Sequence, residues 1–132
     1  MPAEPKTILI VEDNKLNMKL VLAVLEKGHY RILTAPDAET GISLAREHHP
    51  DLILMDLQLP GMDGISATAI LKADEKLKHI PVIALSGYGS VDFGEGPGET
   101  GFSGFITKPI EVRSFLETIS GYLERGPRAL EA

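Results

Sequence analysis

Reactive side chains stand at the ends of four short apolar stretches of this sequence. Glu12 and Asp13 follow the first stretch, Asp56 follows another, and Ser86 and Lys108 end two more. Because the carboxyl ends of parallel strands lie at one edge of an open sheet, where such sheets bind ligands, we expect these side chains to lie close together. Three neighbouring carboxylates repel one another unless a cation neutralises them. Mg²⁺ suits them, because it takes oxygen ligands and leaves positions open for water or phosphate.

The same set of side chains suits phosphoryl transfer. A hard cation, the Lys108 ammonium and the Ser86 hydroxyl around a spare carboxylate match the oxygens of a phosphoryl group in transfer. Asp56 would then be the nucleophile, and the product would be an aspartyl-phosphate.

The apolar stretches are typical of strands, because they are too short for helices and almost wholly apolar, as in a buried parallel sheet. Segments with helical periodicity separate most of them, which predicts an α/β domain with helices on both faces of a five-stranded parallel sheet. The predicted strands cover about residues 8–11, 30–35, 52–55, 81–85 and 104–107. The predicted helices cover about 15–27, 37–48, 65–75 and 111–125.

Two segments between the strands differ sharply in character. The last helix is strongly amphipathic, with an apolar stripe of Val112, Phe115, Leu116, Ile119, Tyr122 and Leu123. By contrast, seven of the 13 glycines fall between Gly87 and Gly104, where the topology would place a fourth helix. Glycine disfavours helices, so we predict an irregular or poorly formed helix over 89–100.

Composition indicates one soluble domain. Of the 132 residues 43% are hydrophobic and 24% are charged, so residues 7–125 are expected to form one domain between a flexible arm (1–6) and a flexible tail (126–132). The net charge of −6 disfavours nucleic-acid binding. No apolar run reaches membrane-spanning length and no cysteine occurs, which favours a cytoplasmic protein without membrane contact.

The order and spacing of the motifs resemble the receiver domain of two-component response regulators, over nearly the whole predicted domain. The likeness is greatest to single-domain, DivK-like receivers and to the receivers of hybrid kinases. The motifs that carry it are Glu12-Asp13-Asn14, Asp56-Leu-Gln-Leu-Pro60-Gly61-Met-Asp-Gly64, Ser86-Gly87 and Phe105-Ile-Thr-Lys108-Pro109.

The resemblance implies a flavodoxin-like strand order of 2-1-3-4-5 and a phosphorylation-activated switch. Asp56 would accept a phosphoryl group from a histidine kinase or a histidine phosphotransfer protein. It implies that Asp13 and Asp56 bind Mg²⁺ directly, that Glu12 acts through water, and that the backbone carbonyl of Gln58 is a further ligand. Lys108, the Ser86 hydroxyl and the Gly87 backbone N–H would contact the phosphoryl oxygens, and Phe105 would be the switch aromatic.

The resemblance also implies signalling through a downstream protein, by a monomer or weak homodimer. The chemistry of the protein itself would be confined to accepting one phosphoryl group and slowly losing it. Gly87 stands where the family commonly has alanine, which should loosen the loop after Ser86. Phe105 is equally compatible with a plain core position.

Other functions fit the sequence less well. A Mg²⁺-dependent phosphatase or phosphotransferase with an aspartyl-phosphate intermediate is the alternative, but such enzymes usually carry a second acid where Gln58 stands. A flavin phosphate would be repelled by Glu12 and Asp13 after the first strand. No G-x-S-x-G elbow surrounds Ser86, which disfavours a serine hydrolase. A receiver used only for docking is disfavoured by the complete set of acids.

Overall fold

The structure, a computed structural model, describes residues 5–86, 102–107 and 112–125. Within these ranges the strands are β1 (Lys6–Val11), β2 (Tyr30–Ala35), β3 (Leu52–Asp56), β4 (Val82–Ser86) and β5 (Gly104–Thr107). The helices are α1 (Lys15–Leu25), α2 (Ala38–His48), α3 (Gly64–Ala73) and α4 (Val112–Arg125). The predicted irregular helix over 89–100 lies outside the described residues.

The five strands form one parallel sheet in the order β2-β1-β3-β4-β5, which confirms the predicted topology. Apart from polar residues at their ends, the central strands are apolar because both faces of the sheet are covered. Along β1, Ile8 and Ile10 pack beneath α1 and α4, while Leu9 and Val11 pack beneath α2 and α3. Alternate side chains of one strand therefore belong to two separate cores.

Helix α1 buries less of its apolar surface than its sequence pattern suggests. Val21 and Leu25 are buried in the core on its side of the sheet, whereas Leu16 is 77% exposed and Leu20 is 40% exposed. At about 100° per residue, Leu16 lies roughly opposite Leu25 around the helix, so the sheet cannot cover both. Two apolar residues of α1, Leu16 and Leu20, thus face solvent.

Glycine allows α2 to pack closely on the sheet. A Cβ placed on Gly41 would lie 2.6 Å from Cγ2 of Val11, the last residue of β1. Real Cβ atoms do not come so close to another carbon atom, so a larger residue would require either the Val11 side chain or α2 to move. Gly41 therefore allows α2 to come this close to the end of β1.

No helix within the described ranges combines the length and apolar character needed to cross a membrane.

The start of α2 yields a prediction about acid stability. The Oδ1 atom of Asp37 accepts a 2.8 Å hydrogen bond from the backbone N–H of Thr40, as a helix N-cap does. Hydrogen bonds from the Thr40 backbone and side chain hold the pKa of this exposed carboxyl below its ordinary value of 3.8. The stabilisation is therefore complete above the pKa of the unfolded chain, and it is lost as pH falls through the lowered pKa.

We expect Asp37→Asn to remove this pH dependence, because the asparagine side chain still caps the helix but does not titrate near neutral or acid pH. The free energy of unfolding should be measured by urea denaturation from pH 7 down to pH ~2.5. The advantage of the wild type over the variant should stay constant above pH ~5 and shrink below pH ~4. Parallel curves over the whole range would contradict the prediction.

Candidate functional site

The acidic residues meet because β1 and β3 are neighbours in register. Val11 of β1 pairs with Met55 of β3, so the next residues, Glu12 and Asp56, lie side by side at the carboxyl end of the sheet. The backbone N–H of Glu12 donates to the carbonyl of Ala35 at 3.0 Å, which extends the pairing of β1 with β2 by one residue. The strand ends therefore hold both backbones in fixed positions.

Glu12, Asp13 and Asp56 form a cluster of three carboxylates. Each offers an oxygen, and these three atoms lie within 4.8 Å of one another. Glu12 is 2% exposed and Asp56 4% exposed, whereas Asp13 faces solvent. Two buried carboxylates so close together are costly unless a cation shares their charge. The predicted proximity of these three acids is confirmed.

Local hydrogen bonds orient the two buried carboxylates. The backbone N–H of Gln58 donates to Oδ1 of Asp56 at 3.0 Å, and the backbone N–H of Asn14 donates to Oε2 of Glu12 at 3.2 Å. The side chain of Asn14 caps α1 by accepting two backbone hydrogen bonds, each 2.9 Å long. The turn that carries Asp13 is therefore anchored at both ends. The backbone N–H of Gln58 therefore lies next to the Asp56 carboxylate, while the role of the Gln58 carbonyl as a metal ligand stays a prediction.

The site depends on a close approach of α3 that the sequence motifs did not reveal. Gly64 is the first residue of α3, and its N–H donates to the carbonyl of Leu57 at 3.2 Å. A Cβ on Gly64 would overlap the backbone carbonyl oxygen of Asp56 and would lie 3.0 Å from Cα of Leu57. Only glycine fits here. The sequence offered one indication of this close approach. A glycine stands directly after Asp63, whose side chain caps α3.

The donor set fits a hard divalent cation. All three cluster side chains offer carboxylate oxygens, and two of the side chains are buried away from water. Oxygen-only sites of this kind suit Mg²⁺, Mn²⁺ or Ca²⁺, and do not suit the soft metals that prefer sulfur. The arrangement can hold one such ion at the surface end of a buried carboxylate.

The remaining predicted site residues are described only in part. Ser86 ends β4 and pairs with Thr107, while Phe105 lies in β5 opposite Ala84. The strand positions of Ser86 and Phe105 are therefore established, but their side chains lie outside what the structure describes. Gly87 and Lys108 also lie outside the described residues, so their predicted roles stay predictions.

A parallel sheet with this strand order and an acidic cluster at its carboxyl edge defines a class of signalling domain rather than a single activity. The chain belongs to the response regulator receiver domain family, whose model matches residues 8–120. It is a receiver domain of two-component signalling, and membership implies a regulatory role. The expected family is thus confirmed.

Curated relatives and solved structures agree with this assignment. The chain is 47% identical over 118 residues to the polar-differentiation response regulator DivK of Brucella ovis, across 89% of this chain and 96% of that protein. Among solved structures, it resembles the receiver domain of the sensor histidine kinase PA1611 from Pseudomonas aeruginosa, with a TM-score of 0.83 and 29% identity, over 91% of this chain and 98% of that one. That receiver was crystallised with a magnesium ion coordinated in its active-site cleft.

A second structural neighbour has the same architecture. It is a CheY-like response regulator receiver domain protein from Methanospirillum hungatei, with a TM-score of 0.81 and 28% identity, covering 92% of this chain and 95% of that chain. The flavodoxin-like fold predicted from the sequence is thus confirmed.

Proposed function

We propose that Asp56 accepts a phosphoryl group from a phosphohistidine of a partner protein. The observation that carries the proposal is the position of its carboxylate, which is buried at the end of β3 with oxygens of Glu12 and Asp13 within 4.8 Å. A carboxylate placed in this way cannot be explained by packing, because burial beside two other acids costs free energy. Its position favours a chemical role.

The transfer exchanges one bond to phosphorus for another. An oxygen of Asp56 forms the new O–P bond as the P–N bond of the phosphohistidine breaks, and the electron pair of that bond returns to the imidazole nitrogen. The 3.0 Å hydrogen bond from the Gln58 N–H fixes the rotation of the carboxylate during this step. The low exposure of Asp56 restricts water, which favours transfer over hydrolysis of the acyl phosphate.

Mg²⁺ fits the donor set of this site. In the proposal Asp13 and Asp56 hold the ion directly, Glu12 holds it through water, and the Gln58 carbonyl is a further ligand. The bound ion would neutralise the acids and withdraw charge from the phosphoryl oxygens. The magnesium in the PA1611 receiver supports this assignment, since that domain has the same fold.

Residues near the carboxyl ends of β4 and β5 are proposed to bind the phosphoryl group or to change position when it is bound. β4 pairs with β3 so that Asp56 lies opposite Leu85, which places Ser86 one residue beyond the acceptor's partner. In the proposal the Ser86 hydroxyl and the Gly87 N–H bind phosphoryl oxygens, Lys108 pairs with their charge, and Phe105 repacks as Ser86 moves. The added charge would thereby change a partner-binding face.

The proposed partners are a histidine kinase or histidine phosphotransfer protein as donor and a downstream protein as target. The relatedness to DivK, named as a response regulator of polar differentiation, supports a signalling output through another protein.

Beryllofluoride, which mimics an acyl phosphate, tests the proposal directly. We expect beryllofluoride with Mg²⁺ to shift the amide resonances of Asp56, Ser86, Phe105 and the glycine-rich segment in spectra of ¹⁵N-labelled protein. Asp56→Asn should abolish these shifts. Asp13→Asn should weaken the Mg²⁺ titration by at least about tenfold, because one of the charged ligands is lost.

The matched control is Asp37→Asn, which removes an exposed carboxylate at the same edge of the sheet while keeping the helix cap. This variant should respond like the wild type. Unchanged spectra in the wild type, or equal responses of the wild type and Asp56→Asn, would refute the proposal.

A further inference from the structure

A cavity of about 350 Å³ lies beside the acidic cluster, between the start of α1 and the end of β2. Its volume falls in the range of small-ligand pockets, which begins at roughly 300 Å³. Glu12 and Asp13 form the wall shared with the cluster, but the rest of the lining takes no part in the proposed phosphoryl transfer. The cavity therefore needs a separate explanation.

The wall formed by α1 is cationic. Lys15 and Lys19 both line the cavity, one helical turn apart and exposed to solvent. Neither lysine forms an ion pair in the part of the chain that the structure describes. Glu12 and Asp13 balance the two lysines over the lining as a whole, so the positive charge is confined to the wall formed by α1. The two lysines favour an anionic group at that wall.

The floor of the cavity is apolar. Met18 is half-buried, Ala35 is buried at the end of β2, and Pro36 completes the surface. Methionine adapts its shape to apolar ligands more readily than branched residues do. Because Ala35 has no exposed surface, the side chain of Met18 and the ring of Pro36 provide the apolar surface that a hydrocarbon body can contact.

We propose that this cavity binds a small organic anion with a flat apolar body, such as an aromatic carboxylate or organic phosphate. The apolar body lies on Met18 and Pro36, and the anionic group lies at Lys15 and Lys19. Glu12 and Asp13 repel the anionic group from the wall that they form, which orients the ligand. The binding goes beyond the proposed phosphoryl transfer and does not depend on it.

Binding of 2-naphthoate, compared with the neutral 2-naphthamide, tests the proposal without Mg²⁺ or any phosphoryl donor. We expect the methyl resonance of Met18 to shift on titration with naphthoate, while that of Met62, which packs on the α3 side of the sheet, stays in place. Naphthoate should bind more tightly than naphthamide by roughly fivefold or more, since a charge pair at contact distance in water contributes about that factor.

Two variants test which residues hold the anionic group and whether the ligand lies in this cavity. Lys15→Gln with Lys19→Gln should abolish the preference for naphthoate, and the repulsion from Glu12 and Asp13 should then make it the weaker ligand of the two. Lys27→Gln, at an exposed lysine beyond the end of α1 that does not line the cavity, should leave the ratio of the two affinities unchanged. Thr34→Phe, at an exposed lining position, should block both ligands.

Equal affinities in the wild type, or shifts of Met62 in place of Met18, would overturn the proposal. A failure here would leave the beryllofluoride response intact, so the two proposals fail separately.

Discussion

Asp56→Asn should accept no measurable phosphoryl group from phosphoramidate, a small molecule with the same P–N bond as phosphohistidine. The asparagine amide is neutral and its oxygen is a much weaker nucleophile than a carboxylate oxygen, so it does not form the new O–P bond at a measurable rate. The fold should survive, because the amide oxygen can still accept the hydrogen bond from the Gln58 N–H. Among the variants considered, this one should have the largest effect on function.

The measurement is intact-protein mass spectrometry after incubation with phosphoramidate and Mg²⁺. The wild type should gain the mass of one phosphoryl group and lose it on treatment with hydroxylamine, which cleaves acyl phosphates. Asp37→Asn, the control at the same sheet edge, should be phosphorylated like the wild type. An Asp56→Asn variant that still acquires a hydroxylamine-sensitive phosphoryl group would show that another carboxylate is the acceptor.

Gly64→Ala should have the largest effect on stability, a loss of about 3 kcal/mol in the free energy of unfolding. The added methyl group would overlap the carbonyl oxygen of Asp56, and a strand backbone held by two neighbouring strands cannot move aside as a flexible side chain does. Either α3 or the end of β3 must shift. Because Asp56 carries a carboxylate of the acidic cluster, the Mg²⁺ affinity should fall as well.

Gly61→Ala is the matched control for this substitution. Gly61 lies in the same loop with a φ of 74°, and a Cβ there would meet nothing within 4 Å. Its replacement should therefore cost only the strain of a left-handed backbone, about 1 kcal/mol, and should leave the Mg²⁺ affinity unchanged. Chemical denaturation measures the loss of stability in each variant, and calorimetric titration measures its Mg²⁺ affinity. Equal losses in both variants would mean that steric overlap with Asp56 is unimportant.

The strands and helices of this protein could be predicted from local sequence, because burial of one or both faces leaves a pattern of apolar residues in each of them. The wholly apolar runs around Leu9 and Ile53 predicted strands covered on both faces, and these residues are fully buried. The stripe of Phe115, Ile119 and Leu123 predicted the buried face of α4, and all three are buried. Boundaries shifted by only a residue or two, since chain ends and caps respond to contacts from outside the element.

The composition of the acidic cluster was also predictable, because parallel strands of one sheet must end at the same edge. The motif order added what residue types alone left open, namely the family and the expected phosphohistidine donor. The expected roles of Gly87 and Lys108 stay predictions, as do the side-chain roles of Ser86 and Phe105.

Only the tertiary structure decided the distances and exposures on which the chemistry depends. Periodicity identifies the apolar residues of α1, but the rotation of the helix on the sheet is set by distant neighbours, and it leaves Leu16 in solvent. The burial of Glu12 likewise depends on distant parts of the chain, and the close approach of Gly64 to Asp56 depends on how α3 packs against the end of β3. The same holds for the cavity beside Lys15, since its opposite wall belongs to β2. Sequence encodes polarity along the chain, whereas register and helix packing place those side chains in space.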